Sequence, residues 1–263
     1  MYAFAYERPA SMADALAKVA AGGQALAGGQ TLIASLKQRL AQPESLVDLA
    51  GVAELSGIRA DGNTLVIGAM TRHETVADSA DVKRLIPALA ALAGGIGDRQ
   101  VRAMGTMGGS VANNDPAACY PSAVLGLGAT VQTNKRSIPA DDFFQGMYTT
   151  ALEEGELITA IHFPAPQKAA YAKFRQPASR FALVGVFVAQ TASGVRVAIT
   201  GAGNGVFRHA GLEAALTKSF TPEAVEGVAI DASELNGDLH ASAAFRAQLI
   251  KVQTQKAVKE ANG

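Results

Sequence analysis

Cysteine is almost absent from this sequence of 263 residues, and its one cysteine is Cys119. A single thiol excludes an intrachain disulfide and a cysteine-ligated iron–sulfur cluster within the chain. The four histidines are scattered without the spacing of metal ligands, so we expect no metal here. Because reactive thiols need electropositive, partly exposed surroundings, we expect Cys119, in its apolar sequence setting, to be inert.

Net charge and long apolar runs are lacking as well. Lys and Arg balance Asp and Glu at 23 each, which argues against nucleic acid as the main partner. No uninterrupted apolar run approaches the roughly 20 residues that a membrane helix needs. The N-terminus lacks the basic and apolar regions of a signal peptide. We therefore expect a soluble, cytoplasmic protein without a membrane span.

Motifs for acid–base or nucleophilic catalysis are also missing. The sequence contains no Gly-x-Ser-x-Gly and no His-Glu-x-x-His. We therefore name no catalytic residue. If the chain belongs to an enzyme, a bound cofactor must carry the chemistry while the protein positions it.

What the sequence does contain is a glycine-rich stretch at residues 104–116. It combines three glycines with two hydroxyls, two amides and a carboxylate, and its few apolar residues predict a loop rather than a core element. Glycine permits a close backbone approach to a ligand, and successive free N–H groups bind anions. The stretch predicts a phosphate-binding loop in which Thr106 and Ser110 add hydroxyl donors. A glycine-rich turn without a ligand is the alternative.

A second glycine pair, Gly28-Gly29, follows a short apolar run and precedes a helical one. A turn between a strand and a helix exposes the first free N–H groups of the helix, where the helix dipole also favours an anion. Two such turns could hold the two phosphates of a dinucleotide from opposite sides. Neither turn matches a Walker A motif or a Gly-x-Gly-x-x-Gly fingerprint.

Five segments, read in order, resemble the FAD-binding medium subunit of molybdenum hydroxylases. That family includes the carbon monoxide dehydrogenase medium subunit and the flavin domain of xanthine dehydrogenase. The resemblance runs from Phe4 to about Gly205. The segments are AGGQTLIASLKQRLAQP (27–43), LVIGAMTRHETV (65–76), VRAMGTMGGSVANNDPAA (101–118), GELITAIHFP (155–164) and KFRQPASRFALVGV (173–186).

The resemblance implies an α+β fold. It predicts a two-subdomain FAD-binding domain of the vanillyl-alcohol-oxidase type at residues 1–166. Its small αβ subdomain covers about 1–53, and its larger subdomain with a mixed or antiparallel sheet covers 54–166. A C-terminal domain with a three-stranded antiparallel sheet and helices follows at 167–263, and the proline pair Pro164 and Pro166 marks the boundary.

Local patterns add further expectations. A helix is predicted from about Thr31 to Leu40, with leucines at a spacing of four on one face. Another is predicted over residues 81–93, kinked at Pro87. His73 reads as a structural surface histidine, and residues 201–205 as a glycine-rich turn that leaves a strand.

The resemblance also implies which residues contact FAD. The first turn would wrap the pyrophosphate and the ribityl chain, and the second would contact the pyrophosphate from the other side. Asn114 and Asp115 would reach ribityl or ribose hydroxyls, Leu157 or Ile158 would cover the adenine, and Arg175 would lie near the flavin. The implied residues are Ala27, Gly28, Gly29, Gln30, Thr31, Leu32, Thr106, Gly108, Gly109, Ser110, Asn114, Asp115, Ile158 and Arg175.

Two positions depart from the family pattern. Cys119 stands where xanthine-dehydrogenase-type domains carry an aspartate that contacts the cofactor, and Gln30 stands where carbon monoxide dehydrogenase medium subunits usually have histidine. Gln30 keeps a donor and an acceptor but cannot titrate. Arg99 and Arg102 either offset phosphate charge or pair with a nearby aspartate.

The function implied by the resemblance is electron relay in a heterotrimeric molybdenum hydroxylase. FAD on this chain would take electrons from 2Fe–2S clusters on a small subunit, while a large subunit carries the molybdenum cofactor and selects the substrate. Such complexes typically form a dimer of heterotrimers. A stand-alone flavoprotein oxidoreductase of the same fold and a flavin-less scaffold subunit remain the alternatives.

Overall fold

The computed structural model describes all 263 residues and confirms an α+β fold. The N-terminal part is a parallel sheet of order β1-β3-β2 with two helices, because each crossover between parallel strands needs a helix. Two short 3₁₀ turns, Leu49–Gly51 and Ala53–Leu55, follow it. The elements are β1 (Ala5–Glu7), α1 (Met12–Ala20), β2 (Gln24–Leu26), α2 (Leu32–Lys37) and β3 (Ser45–Asp48).

Helix α2 is shorter than the leucine pattern predicts. It ends at Lys37, and Arg39 takes a left-handed conformation with φ 61°. This change of backbone direction removes Leu40 from the buried face that Leu36 occupies, and Leu40 is 76% exposed. A leucine spacing alone does not reveal where the helix stops.

The middle part is built on a five-stranded antiparallel sheet of order β4-β5-β10-β6-β7. Strand β10 returns from far along the chain to pair with both β5 and β6. Helices cover the sheet, and the large core of 30 buried residues lies between them. The elements are β4 (Ile58–Asp61), β5 (Thr64–Gly68), α3 (His73–Asp78), α4 (Ala80–Leu85), α5 (Pro87–Gly94), α6 (Arg99–Met104), α7 (Met107–Asn113), α8 (Tyr120–Gly126), β6 (Thr130–Thr133), β7 (Ser137–Pro139), α9 (Ala140–Phe143), β8 (Phe144–Gly146), β9 (Thr149–Thr150) and β10 (Ile158–Pro164).

The helix predicted over residues 81–93 is two helices, so the kink at Pro87 is a complete break. Helix α4 ends at Leu85, Ile86 has φ −143° and ψ 70°, and Pro87 begins α5. Proline disfavours the helical conformation of the residue before it, yet it fits the first turn of a new helix, where its missing N–H is not needed.

The C-terminal part is an antiparallel sheet of order β11-β12-β13-β14 packed on helices. Its three long strands were predicted, and β14, of two residues, adds a fourth. Residues 201–205 form the predicted turn after β13. The elements are β11 (Lys168–Arg175), β12 (Ala182–Thr191), β13 (Gly194–Thr200), β14 (Phe207–Arg208), α10 (Ala210–Lys218), the 3₁₀ turn Pro222–Val225 and α11 (Ala243–Asn262).

The C-terminal sheet is hydrogen-bonded to the segment that follows α7. The Thr200 hydroxyl contacts the carbonyls of Pro116 (2.8 Å) and Ala118 (2.7 Å), and the Gly201 N–H donates to Pro116 (2.7 Å). These bonds fix β13 against the middle part of the chain. No helix of the structure has both the length and the apolar character needed to cross a membrane.

Candidate functional site

The two glycine turns lie in direct contact. A Cβ atom on Gly28 would stand 2.2 Å from the Met104 carbonyl oxygen and 2.7 Å from the Gly105 Cα. A Cβ atom on Gly109 would stand 3.0 Å from the Ala27 Cβ. Only glycine allows backbones to approach this closely. The two segments, far apart in the sequence, therefore form a single site.

The first turn supplies free amide groups. None of the backbone N–H groups of residues 28–32 donates to an acceptor in the chain. They lie where the chain passes from β2 into α2, whose N-cap, Thr31, makes no side-chain capping bond. The Gln30 side chain turns back to the Gly28 carbonyl at 3.2 Å. Unpaired N–H groups at the start of a helix, where its dipole is positive, fit an anion such as a diphosphate.

The second turn is not the open loop that the sequence predicts, because residues 107–113 form helix α7. Thr106 caps this helix, and its Oγ1 accepts a hydrogen bond from the Gly109 N–H at 3.2 Å. Met107 and Val111 are completely buried and belong to the large core. The capping threonine and these two apolar residues outweigh the low helix propensity of the glycines.

Most amides of the second turn are therefore already paired. Met107 donates to the Thr71 carbonyl (3.0 Å) and Gly108 to the Ala69 carbonyl (2.8 Å). A Cβ on Gly108 would lie 2.5 Å from the Ala69 Cβ, so this glycine allows α7 to pack tightly. What the second turn offers a ligand is hydroxyl groups: the Thr106 hydroxyl hydrogen and the half-buried Ser110 side chain. The prediction of free amides is thus wrong for this turn.

His73 supports the second turn from behind. Its backbone N–H donates to the Gly105 carbonyl at 3.0 Å, and a Cβ on Gly105 would lie 2.5 Å from its Nε2 atom. The expectation of a surface histidine is wrong, since His73 is buried and its ring lies 5.2 Å from that of Tyr120. Burial, and secondarily the charge of Arg102, lowers the pKa of His73 to about 4. The imidazole is therefore neutral near pH 7.

Arg102 closes the loop that leads into α6. Its Nη1 atom donates to the carbonyls of Ile96 (2.9 Å) and Gly97 (3.3 Å). Asp98 does not pair with it but accepts the Val101 N–H at 2.8 Å and so caps α6. Arg102 therefore has a structural role, with backbone carbonyls in place of the aspartates considered from the sequence.

Asn114 and Asp115 lie at the other end of α7, at least about 12 Å along its axis from Thr106. Asn114 is completely buried, and its Nδ2 donates to the carbonyls of Gly146 (2.7 Å) and Thr149 (2.8 Å). Asp115 accepts the Tyr148 hydroxyl at 3.3 Å. Both side chains hold the β8–β9 hairpin.

Leu157 and Ile158 face different parts of the core, as adjacent residues at a strand do. Leu157 belongs to a small apolar cluster against which Ala27, in the first turn, is packed. Ile158 belongs to the large core. Of the two residues, only Leu157 shares a cluster with a residue of the first turn.

Arg175 is exposed at the end of β11. One of its guanidinium nitrogens would lie 3.6 Å from a Cβ on Gly95. In the sequence, α6 lies between that glycine and the second turn. The structure therefore brings the two turns together, and it places Arg175 beside Gly95.

Sequence reasoning missed several residues that form this site. The carbonyls of Ala69 and Thr71 position the second turn, and no side-chain motif could have identified them. Met104, whose backbone contacts Gly28, has a side chain that is 51% exposed beside the meeting point of the turns. Met104 begins the glycine-rich stretch noted in the sequence, but no pattern there shows that it contacts Gly28.

Comparisons with known proteins show the family of the chain. A family model described as the FAD binding domain in molybdopterin dehydrogenase matches residues 2–166. The carbon monoxide dehydrogenase medium chain of Hydrogenophaga pseudoflava is 35% identical over 271 residues, with 94% of each chain covered. The glyceraldehyde dehydrogenase medium chain of Sulfolobus acidocaldarius is 34% identical over 275 residues, with 98% of each chain covered.

Solved structures are similar over nearly the whole chain. A chain of reconstituted CO dehydrogenase from Oligotropha carboxidovorans has a TM-score of 0.90 and 32% identity, covering 99% of this chain and 98% of that one. A chain of quinoline 2-oxidoreductase from Pseudomonas putida 86 has a TM-score of 0.89 and 29% identity, covering 99% and 97%.

Proposed function

Since this chain belongs to the family of FAD-binding domains in molybdopterin dehydrogenase, we propose that it is the electron-transferring medium subunit of a heterotrimeric molybdenum hydroxylase. The family and the FAD cofactor predicted from the sequence are confirmed. In the proposal, electrons arrive from 2Fe–2S clusters on a small subunit and leave for an external acceptor. A large subunit carries the molybdenum cofactor. The dimer of heterotrimers and the cytoplasmic location stay predictions.

The observation that carries the proposal is the contact between the two turns. The N–H groups of residues 28–32 have no acceptor in the chain, and Gly28 among them rests on the Met104 backbone. In the proposal these amides hold the diphosphate of FAD, and the hydroxyls of Thr106 and Ser110 donate from the other side. The buried neutral His73 keeps Gly105 in place without adding charge.

The apolar packing of the first turn suggests where the adenine end of the cofactor lies. We propose Leu157, rather than Ile158, as the apolar wall for the adenine, because Leu157 shares a cluster with Ala27. Contacts from Asn114, Asp115 and Arg175 stay predictions. FAD supplies reversible one- and two-electron transfer when bound, and this chain's residues bind and orient it.

We also propose that the FAD-binding domain ends near residue 166. The matched family model ends there, and the chain passes from β10, which ends at Pro164, to β11, which begins at Lys168 in a different sheet.

Titration of the purified chain with FAD tests the proposal. We expect one FAD per chain with a flavin absorption band, and no hydroxylase activity, because one cysteine cannot ligate an iron–sulfur cluster. Failure to bind FAD would favour the scaffold alternative. Turnover of a substrate by the metal-free chain alone would favour a stand-alone flavoprotein.

A further inference from the structure

Three polar side chains lie around Cys119, outside the diphosphate site: Lys173, Tyr171 and Tyr120. Cys119 immediately precedes α8 and is 5% exposed. The Nζ atom of Lys173, on β11, lies 3.3 Å from its Sγ atom. The expectation of a purely apolar setting is therefore wrong, since an ammonium group contacts the sulfur.

Lys173 is fixed in this position by two further contacts. Its Nζ donates to the carbonyls of Gly95 (2.8 Å) and Arg180 (3.1 Å), so all three ammonium hydrogens have partners. The amine thus cannot swing away from Cys119 without breaking hydrogen bonds. Its position against the sulfur is preorganised.

Two buried phenols complete the cluster. Tyr171 lies two residues before Lys173 and so on the same face of β11. Its hydroxyl and that of Tyr120 are buried without a hydrogen-bond partner. Burial, followed by the neighbouring Cys119, raises the pKa of both phenols, so both are neutral. Lys173 is therefore the nucleophile in contact with the sulfur.

We propose that Cys119 and Lys173 form a redox modification site, at which hydrogen peroxide converts their contact into a covalent sulfur–nitrogen bond. The chain has no second cysteine, so a disulfide within it cannot form. A thiol that reaches the sulfenic acid stage is captured by a nearby nucleophile or is oxidised further, and nitrogen is one such nucleophile. Lys173 holds its nitrogen beside the sulfur.

The reaction balances in two steps. Peroxide transfers one oxygen atom to the thiol, which gives sulfenic acid and one water as the sulfur loses two electrons. Lys173 then loses one proton to become the neutral amine that attacks the sulfur. The S–N bond forms, the S–O bond breaks, and the nitrogen loses a second proton. One of the two protons joins the leaving hydroxide as a second water, and the other passes to the solvent.

The bond would join two regions of the chain. Cys119 belongs to the segment that follows α7, and Lys173 belongs to the C-terminal sheet. The oxidised chain would thus be cross-linked between the middle part, which carries the second turn, and the C-terminal part, which carries Arg175. The modification needs no bound flavin.

Mass spectrometry of the full chain after exposure to hydrogen peroxide tests this proposal. We expect the loss of about 2 Da, a linked peptide pair joining residues 119 and 173, and recovery of the original mass with dithiothreitol. The link should form with or without FAD, so the result of this experiment does not depend on the proposed function. Gains of about 16, 32 or 48 Da without a linked peptide would overturn the proposal.

Matched variants locate the bond. Cys119→Ser and Lys173→Gln should abolish the link. Lys168 lies on the same strand, but its Nζ donates to Asn262 rather than to Cys119. Lys168→Gln should therefore keep the link. If Lys173→Gln fails to fold, the test still stands on the unmodified sequence, in which dithiothreitol should remove the linked peptide pair. A link that persists in the Lys173 variant would contradict the assignment.

Discussion

Replacement of Gly109 by valine should separate the two turns. A Cβ at this position would lie 2.8 Å from the Thr106 Oγ1 and 3.0 Å from the Ala27 Cβ, and the valine methyl groups would extend farther. Either the cap of α7 breaks, which costs about 1 kcal/mol, or Ala27 moves together with the amides that follow it. Overpacking of this kind costs about 1–3 kcal/mol of stability.

The expected loss of FAD affinity follows from the bonds that such a shift breaks. Each hydrogen bond to a charged group contributes about 1.5–3 kcal/mol. Loss of two such bonds therefore raises the Kd for FAD at least about 100-fold. Titration followed by quenching of flavin fluorescence measures this change, and a thermal melt of the flavin-free variant shows whether it still folds.

Gly227→Val is the matched control. A Cβ on Gly227 would meet no atom within 4 Å, so the control should bind FAD as the unmodified chain does. A Gly109→Val variant that folds and binds one FAD with unchanged Kd would refute the reasoning. The second turn would then not border the cofactor.

Three further predictions concern the residues around the site. Burial lowers the pKa of His73 from 6.5 to about 4, so the unfolded chain takes up this proton first. The stability that the neutral His73 contributes is fully present above about pH 6.5. About 3 kcal/mol of the free energy of unfolding is lost as the pH falls to 4. Urea unfolding should show this loss in the unmodified chain and not in His73→Phe. Glu156 accepts bonds from the Arg136 Nε and Nη2 atoms at 3.1 Å each, so Glu156→Gln should lower the free energy of unfolding by roughly 2–3 kcal/mol at pH 7. An unchanged urea midpoint would count against this ion pair. Leu157→Ala should weaken FAD binding roughly tenfold, whereas Ile158→Ala should mainly lower the melting temperature; the reverse pattern would restore Ile158 as the adenine wall.

Much of the fold could be predicted because its signals are local. The turn between β4 and β5 follows from a short polar segment between apolar runs, and Ser11 caps α1 through the Asp14 N–H as its sequence pattern indicates. The first glycine turn was also correctly read as the start of a helix. Such features depend on neighbours within a few residues, which a single sequence displays directly.

The remainder depends on contacts between distant residues. The sequence of residues 107–113 predicts a loop, and no local pattern shows that Thr71 and Ala69 accept the N–H groups of Met107 and Gly108. His73 looks exposed until Gly105 and Tyr120 cover it. The sequence around Cys119 is apolar, and only the structure shows that Lys173 of the C-terminal sheet contacts its sulfur. In each case the tertiary neighbour decides the environment of the residue.

A high-resolution structure of the chain with FAD bound tests the central claim most directly. We predict that diphosphate oxygens lie about 3 Å from amide nitrogens of residues 28–32 and from the hydroxyl of Thr106 or Ser110. A diphosphate bound elsewhere, with those amides facing only water, would contradict the account.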